Sequence, residues 1–505
     1  MPSPRSGQCA RLIAASILGL LVGWLTACSG SERGPSAPRL VILYATCTLN
    51  KDYLSPYSPE VAYTPHLQRL ARRSTVFTSH RTESAQSGIA FASIFSGVQA
   101  PVHGVFSHPR EIPDSVELIT EAFAANGYDT YSYLYHFLAE ANLGYAQGVP
   151  AENAFFELLR PDHQAFRQVL DRLDQDPEYR ALIIANFTVT HAPYSDVRLE
   201  AFCGAYPDQC TMDPETFERM KNIHYGHPNI SYDYRRAEAT RDFSERELGD
   251  FASALDLLYR ANVHHLDGLV GRLVASIERR GLLDSTAIAF TADHGETLYR
   301  ETAPYSWGHG YQLSPDAVNV PFILHAPGVG RGESYSGVTR SIDVFPTLAG
   351  LARIELASVP GRGVDLSPVL RGEQMAPDLL AFSHSSVLSE PVANSNHKNL
   401  DFFRWHFPRR DPELMWVAVK KANRVYKLQR FHEGEFEPAV FDTAVDPHEL
   451  ADVHDPADPA GRQIFERLSR YRAGLVESFG SWMSEGRELP PEQQEELLRA
   501  LGYIE

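Results

Sequence analysis

The sequence predicts an α/β protein in which buried strands alternate with helices. Three short apolar runs have the length and composition of buried strands, at residues 39–45, 181–188 and 287–290. A long amphipathic pattern that ends at Gly281 predicts a helix packed against the sheet. The chain has 505 residues, which is too many for one small core. We therefore expect either two domains or one large α/β domain with additions.

The composition is that of a folded globular protein, with 43% hydrophobic and 22% charged residues. The formal net charge is -18 at pH 7. Nucleic acids are bound mainly by basic surfaces, because their phosphate backbones are negative. We therefore expect no nucleic-acid partner, and no motif in the chain implies a protein partner.

The N-terminal segment has the pattern of an export signal. Arg5 and Arg11 precede an apolar run at residues 12–24, which is too short for an ordinary membrane span. The sequence L-T-A-C then ends at Cys28 and resembles a bacterial lipobox. This interpretation makes residues 1–27 a lipoprotein signal peptide and the lipidated Cys28 the first mature residue. The alternative is a plain secretion signal with an incidental cysteine.

A lipid on Cys28 would anchor the protein to a membrane of the bacterial cell envelope. Ser29, rather than Asp, follows this cysteine, which in this lipoprotein class favours the outer membrane. Residues 28–38 are rich in Ser, Gly and Pro, so we interpret them as a flexible tether.

The first predicted strand leads into the sequence T-C-T-L-N-K-D, which contains Cys47. Further along the chain, Thr64 and Pro65 predict the start of a helix, because proline is favourable at the first helical position. Residues 76–78 predict a second short strand.

Ser87 lies at or near the start of another predicted helix. Residues 83–88 open this helix and Gly97 ends it. Unpaired backbone N–H groups and the helix dipole stabilise an anion at such a position. The alternative is that Ser87 is only a helix cap.

Residues 127–134 and 181–188 predict two more strands. The second runs directly into T-H-A-P, so His191 follows the strand end. A single histidine at such a place is usually an ordinary loop residue, and a functional role is the alternative.

Residues 195–250 are polar, and we interpret them as an insertion or lid over the edge of the sheet. An oxidising compartment favours a disulfide between Cys203 and Cys210, which lie in one loop. Once the signal region is set aside, Cys47 is the unpaired cysteine.

The sequence T-A-D-H-G-E at residues 291–296 follows the apolar run that ends at Phe290. Ligand sites in open α/β sheets lie at the carboxyl ends of strands, and Asp and neutral His are common ligands of divalent metals. Asp293 and His294 are therefore candidate metal ligands, although an exposed polar turn is the alternative. A glycine-rich loop, S-W-G-H-G, then carries His309.

A segment rich in Pro and Gly at residues 353–363 predicts a domain boundary, with residues 39–352 before it and residues 353–505 after it. A strand is predicted at 320–324 and a turn into a helix at 341–348. The C-terminal part is predicted to contain a small antiparallel sheet and two helices, from strands in 416–428 and 437–442 and helices at 460–482 and 490–501.

These motifs, in this order, resemble the sulfatase branch of the alkaline phosphatase superfamily. The resemblance covers nearly all of residues 39–505. The most specific match is G-L-L-D-S-T at 281–286 leading into D-H-G-E at 293–296. Other matching motifs are T-P-H-L-Q-R-L at 64–70, S-G followed by H-G-V at 96–105, I-D-V-F-P-T-L at 342–348, D-P-H-E-L at 446–450 and L-R-A-L-G-Y at 498–503.

The resemblance implies a large mixed, mainly parallel sheet between helices, with a small α+β C-terminal subdomain. It also implies a nucleophile at a helix start, metal ions held by carboxylates and histidines, and a small anionic ester as substrate. By the same resemblance Ser87 is the nucleophile, and Asp293 and His294 are metal ligands. It also implies that His191 and His309 contact the substrate or protonate the leaving group. We further expect Glu296 to orient the site from behind the metal ligands, without binding the ion itself.

The sequence around Ser87 departs from that of true sulfatases. Their C/S-x-P-x-R motif carries a residue that is oxidised to formylglycine, whereas Ser87 is followed by G-I-A-F. The site is more similar to relatives with a Ser or Thr nucleophile, such as phosphodiesterases, phosphonate hydrolases and phosphoethanolamine or phosphoglycerol transferases. A plain serine cannot eliminate sulfate, but phosphoserine can be attacked by water or another alcohol. Phosphate or phosphodiester substrates are therefore expected rather than sulfate esters.

Cys47 is a second departure, because relatives place an Asp or Glu metal ligand there. A thiolate binds zinc well, so Cys47, Ser87, Asp293 and His294 form a plausible metal site. We expect zinc or manganese rather than calcium, which prefers hard oxygen ligands. The alternative is that the ligand is lost, which would leave a degenerate surface lipoprotein that acts as a non-catalytic binding module.

Overall fold

The computed structural model describes residues 36–106, 110–226, 244–298, 308–310, 313–385, 416–429 and 436–484. The predicted signal peptide with Cys28 and the helix predicted at 490–501 lie outside these ranges. No helix in the described part of the chain is both long and apolar enough to cross a membrane.

A large mixed sheet forms the centre of the molecule and confirms the predicted fold class. Its strand order is β5-β4-β6-β1-β7-β8-β2-β9. The neighbouring strands β5, β4, β6, β1 and β7 are parallel, and β8 runs antiparallel to both β7 and β2. The strands are β1 (Leu40–Thr46), β2 (Thr75–Phe77), β4 (Asp129–Leu134), β5 (Ala154–Phe155), β6 (Ala181–Phe187), β7 (Thr286–Ala292), β8 (Phe322–His325) and β9 (Glu333–Tyr335).

Helices cover both faces of this sheet, so its central strands are apolar on both sides. Along β1, Val41 and Leu43 belong to one hydrophobic cluster, whereas Ile42 belongs to the other. Successive side chains of a strand point to opposite faces, which explains the uninterrupted apolar run. The helices of eight or more residues in this part are Ser87–Ser96, Gln164–Gln175, Pro214–Gly226, Glu245–Glu278 and Val344–Leu351; shorter ones are Pro65–Ala71, Ala100–His103, Ile119–Ala125, Leu199–Ala205, Pro315–Val318 and Ser367–Leu370.

The predicted insertion is mainly helical in its described residues. The helices Leu199–Ala205 and Pro214–Gly226 both pack against the long helix Glu245–Glu278. Cys203, in the first of these helices, forms a disulfide with Cys210, which lies between the two helices, with a Cα–Cα distance of 5.6 Å. This disulfide joins the two cysteines that the sequence analysis paired.

A second, antiparallel sheet lies in the C-terminal part, as predicted. Its strand order is β11-β12-β13-β14, and the helix Pro459–Ser484 packs against β12 and β13. One hydrophobic cluster contains both Val41 of the large sheet and Val417 of the small one. The strands are β11 (Ala381–His384), β12 (Trp416–Lys421), β13 (Arg424–Gln429) and β14 (Glu437–Asp442), and a separate two-stranded pair is β3 (His80–Arg81) with β10 (Thr339–Arg340).

Candidate active site

Two adjacent parallel strands deliver the central residues of the candidate site to one point. In the register of β1 and β7, Thr46 is opposite Ala292. The next residue on each strand, Cys47 and Asp293, therefore leaves the sheet beside the other. The backbone N–H of Asp293 donates to the carbonyl of Thr46 at 3.0 Å, which fixes this arrangement. The site thus lies at the carboxyl ends of central strands, where α/β sheets bind ligands.

Ser87 is the first residue of the helix Ser87–Ser96 and is nearly fully buried. Gln86, not Ser87, occupies the N-cap position. The Ser87 hydroxyl is turned instead toward the strand ends, with its Oγ 3.3 Å from Cys47 Sγ and 3.1 Å from His294 Nε2. Ser87 therefore lies at a helix N-terminus, which favours an anion, and beside two potential metal ligands, Cys47 and His294.

His294 presents Nε2 to Ser87 because its other ring nitrogen is already used. Nδ1 lies 2.9 Å from the carbonyl oxygen of Gly295, which can only accept, so Nδ1 carries the proton. Burial lowers the pKa of His294 and favours the neutral ring. The Nε2 lone pair is therefore available to a hydroxyl proton or to a metal ion.

Only one of the two carboxylate oxygens of Asp293 accepts hydrogen bonds from described residues. Its Oδ1 accepts hydrogen bonds from the backbone N–H groups of Thr48, at 3.1 Å, and of His294. Its Oδ2 is buried and has no hydrogen-bond partner among the described residues, and it lies 3.5 Å from His294 Nε2. A buried carboxylate oxygen without a partner is costly unless something else satisfies it.

Gly295 allows the turn that carries these ligands. A Cβ added at this residue would lie 1.9 Å from the carbonyl oxygen of Asp316. No side chain fits in that space, so the backbone of the D-H-G-E turn approaches the short helix Pro315–Val318 only because residue 295 is glycine.

Cys47 is fully buried and contacts a histidine that the sequence analysis did not identify. His136 Nε2 lies 3.3 Å from Cys47 Sγ, and His136 Nδ1 accepts a hydrogen bond from the backbone N–H of Leu138. His136 therefore donates its Nε2 proton toward the sulfur. Burial, together with the nearby Asp293 carboxylate, raises the pKa of the Cys47 thiol.

The donor atoms fit a divalent metal ion. One ligand atom each from Cys47, Asp293 and His294 can be chosen so that all three lie within 4.8 Å of one another, and all three residues are buried. The unpartnered Asp293 Oδ2 is the kind of atom that a cation would satisfy. A sulfur, a carboxylate oxygen and an imidazole nitrogen together are typical of a zinc-type site rather than a calcium site.

His191 and His309 lie next to this cluster. Their ring centroids are 5.2 Å apart, and the ring of His309 lies 4.5 Å from that of His294. Burial lowers the pKa of both His191 and His309 to about 4. The rings of His191, His309 and His294 thus form a contiguous group, and His294 contacts Ser87.

Glu296 connects His309 to a second residue that the sequence analysis missed. His309 Nδ1 lies 2.9 Å from Glu296 Oε1, and the Tyr194 hydroxyl donates to Glu296 Oε2 at 3.0 Å. Burial raises the pKa of Glu296 to about 7.

One signal in the sequence points to His136. It follows the end of a predicted strand, as Cys47 and Asp293 do, and parallel strand ends meet at the same edge of the sheet. Tyr194 carries no comparable signal, because nothing local to it indicates a partner at residue 296.

Fold and site together define an alkaline-phosphatase-like α/β protein with a buried metal-type cluster beside a serine. A family model described as Sulfatase matches residues 40–354, and the chain belongs to the sulfatase family. The predicted family and fold are therefore confirmed. The nucleophile type, the lipid anchor and the ester specificity remain predictions.

Curated relatives with sulfatase names are similar to this chain in sequence, and solved structures share its fold. Arylsulfatase K of Xenopus laevis is 24% identical over 241 residues, a match that covers 47% of this chain but only 40% of that protein. Arylsulfatase A of Bos taurus is 25% identical over 496 residues and is matched over 92% of its length, with 90% of this chain covered. The structure of a phosphonate monoester hydrolase from Silicibacter pomeroyi has a TM-score of 0.61 and 20% identity, covering 85% of this chain and 94% of that one.

Proposed function

We propose that this sulfatase-family protein cleaves phosphoric esters, either monoesters or diesters, with Ser87 as the covalent nucleophile. The observation that carries the proposal is the position of Ser87 Oγ, 3.1 Å from His294 Nε2 and 3.3 Å from Cys47 Sγ at a helix start. The sequence around this serine lacks the Pro and Arg of formylglycine-type sulfatases. The fold similarity to a phosphonate monoester hydrolase is compatible with phosphorus chemistry.

Each protein group has a defined part in the proposed reaction. Ser87 Oγ forms a bond to phosphorus while the bond from phosphorus to the leaving oxygen breaks. His191 or His309 takes the proton that the Ser87 hydroxyl loses and gives it to that leaving oxygen. The N–H groups at the start of the helix face the negative phosphoryl oxygens. Water, or another alcohol in a transferase, then attacks phosphoserine and releases the serine.

The proposed metal set is Cys47, Ser87, Asp293 and His294. A divalent cation held there would supply Lewis-acid stabilisation of the negative charge on the reacting oxygens. We propose zinc or manganese, because the Cys47 thiolate is a poor ligand for calcium.

The test combines metal analysis with a matched series of esters. The purified protein would be analysed for bound metals and assayed with 4-nitrophenyl phosphate, bis(4-nitrophenyl) phosphate, 4-nitrophenyl phenylphosphonate and 4-nitrophenyl sulfate. We expect bound zinc or manganese and turnover of a phosphorus ester. Faster turnover of the sulfate would contradict the assignment. No bound metal and no turnover would favour the alternative, a binding module on a degenerate sulfatase fold.

We also propose that the mature protein is anchored to the bacterial envelope through a lipid on Cys28, most consistently in the outer membrane. The support is the sequence alone: an apolar signal at residues 12–24, the L-T-A-C motif and Ser29 after the cysteine.

A further inference from the structure

Tyr194 is a fully buried residue whose hydroxyl lies within the candidate active site. It follows His191 by three residues, and its Oη donates to Glu296 Oε2 at 3.0 Å. The other oxygen of the same carboxylate, Oε1, lies 2.9 Å from His309 Nδ1. Glu296 is thus held between a tyrosine hydroxyl and a histidine ring.

The predicted insertion fixes the position of Tyr194. Its backbone N–H donates to His224 Nε2 at 2.8 Å, and its carbonyl accepts from the Tyr225 hydroxyl at 3.1 Å. Both partners belong to the helix Pro214–Gly226. The Tyr194 ring also packs edge-on against Tyr259, with ring centroids 5.2 Å apart. These contacts hold Tyr194 in place, so its hydroxyl has little freedom to follow Glu296 if the carboxylate moves.

The backbones of Glu296 and His309 are held independently of Tyr194. The carbonyl of Glu296 accepts from Asn50 Nδ2 at 3.1 Å. Thr297 and Gly308, the neighbours of Glu296 and His309, form a two-way backbone bridge with N–H to carbonyl distances of 2.9 and 3.2 Å. With both backbones fixed, the rotamer of the Glu296 carboxylate decides where the His309 ring is held.

We propose that Tyr194 is a positioning residue for proton transfer by His309. Its hydroxyl holds Glu296 so that the carboxylate keeps the proton on His309 Nδ1, which leaves Nε2 as the nitrogen that exchanges a proton with the substrate. At rest Nε2 carries no proton. It takes the proton that the Ser87 hydroxyl loses as Oγ bonds to phosphorus, and gives it to the leaving oxygen as the phosphorus–oxygen bond breaks. It then takes a proton from the water that attacks phosphoserine, and this proton passes to Ser87 Oγ as the phosphoserine bond breaks. This inference rests on the proposed function in its assignment of the reaction.

Removing the hydroxyl gives a specific expectation. In Tyr194→Phe, Glu296 Oε2 would lose its donor inside a buried site, and a buried acceptor without a partner is unfavourable. The carboxylate is then expected to turn away from His309. Proton donation matters most when the leaving group is a poor one, because a good leaving group departs without help.

The kinetic test compares Tyr194→Phe with the wild type on 2,4-dinitrophenyl phosphate and on phenyl phosphate. We expect kcat for the phenyl ester to fall about 10-fold or more, with less than about 2-fold change for the dinitrophenyl ester and little change in KM. The matched control is Tyr128→Phe, which removes a buried hydroxyl that donates to the carbonyl of Pro38 at 2.7 Å, away from the site. This control should leave the ratio of the two rates unchanged. Equal losses on both esters in Tyr194→Phe would overturn the proposal.

A spectroscopic readout separates this inference from the proposed function. ¹⁵N-histidine spectra would report the tautomer of His309, with its signal identified by its loss in His309→Asn. The wild type should show a proton on Nδ1, and Tyr194→Phe should shift the population away from this form. An unchanged tautomer in Tyr194→Phe would contradict the positioning role. The tautomer measurement needs no turnover, so it tests the role of Tyr194 even if the wild type cleaves none of the esters. Absence of turnover would instead contradict the proposed function.

Discussion

The Sγ atom of Cys47 lies 3.3 Å from the Oγ atom of Ser87, although 40 residues separate them in the chain. Cys47 follows the central strand β1, and Ser87 is the first residue of the helix Ser87–Ser96. Asp293 and His294 complete the group from the neighbouring strand β7. A thiol thus lies beside the proposed nucleophile, at a position where the family resemblance implies a carboxylate.

Replacing Cys47 should change which metal the protein binds. Cys47→Ala is expected to weaken zinc binding by more than about 100-fold, since loss of even an outer hydrogen-bond partner typically costs about 10–100-fold. Cys47→Asp should restore metal binding but favour harder cations such as manganese over zinc. Competition titrations with a zinc chelator, together with elemental analysis, measure both effects. Zinc binding by Cys47→Ala equal to that of the wild type would remove the thiol from the ligand set.

Gly295→Ala should destabilise the fold at the D-H-G-E turn. The added Cβ would lie 1.9 Å from the Asp316 carbonyl, so the backbone must move. We expect a loss of about 2–3 kcal/mol or more in the free energy of unfolding, measured by urea denaturation. Gly204→Ala is the control, because its Cβ meets no described atom within 4 Å in the helix Leu199–Ala205, and it should be neutral or stabilising by about 0.5–1 kcal/mol. Similar unfolding curves for both variants would show that the turn can relax.

Glu83 should make stability fall as the pH rises from 4.5 to about 7. It is buried, with Oε1 accepting from Gln99 at 3.0 Å and Oε2 from Ser93 at 3.3 Å. Burial raises its pKa from 4.5 to about 7, although the Gln99 hydrogen bond and the Arg340 charge act in the opposite direction. A raised carboxyl pKa means that the folded state holds the proton more tightly. Its contribution to stability is therefore complete below pH 4.5 and is lost between pH 4.5 and about 7.

The difference in unfolding free energy between Glu83→Gln and the wild type isolates this effect. Groups that titrate in both proteins cancel, and the amide cannot ionise. The difference should change by up to about 3 kcal/mol in favour of the variant between pH 4.5 and pH 8. Denaturant unfolding at intervals across this range measures it. A difference that stays flat over the range would mean that Glu83 titrates alike in the folded and unfolded states.

Cys28→Ser should release the protein from the membrane fraction if Cys28 carries the lipid. In a bacterial host that processes lipoproteins, the wild-type chain is expected to incorporate labelled palmitate and to sediment with membranes. The serine variant should do neither. Palmitate labelling that persists in Cys28→Ser would place the anchor elsewhere.

Strands and helices whose pattern lies within one short stretch of the chain were predictable from the sequence. The apolar run at residues 39–45 corresponds to the strand Leu40–Thr46, and the helix predicted near Ser87 begins at Ser87 itself. The D-H-G-E turn and Cys47 are adjacent because β1 and β7 are parallel neighbours, a pairing that follows from the fold class and not from either segment.

Contacts between distant partners were not predictable from either segment alone, although the place of His136 after a predicted strand pointed to the same edge of the sheet. His136 contacts Cys47 across 89 residues, and Tyr194 contacts Glu296 across 102 residues. A histidine after a strand and a tyrosine after a proline look like ordinary loop residues until the sheet order places them. The antiparallel direction of β8 was equally hidden, because a short apolar run carries no signal for strand direction.

Mass spectrometry of the peptide that contains Ser87 tests the central claim most directly. The protein would be quenched with acid during turnover of a phosphate ester and compared with protein that has met no substrate. We predict an unmodified serine before reaction and one phosphoryl group on Ser87 after quenching. Ser87→Ala should show neither the phosphoryl group nor turnover. A formylglycine at residue 87, or full turnover by Ser87→Ala, would contradict the account.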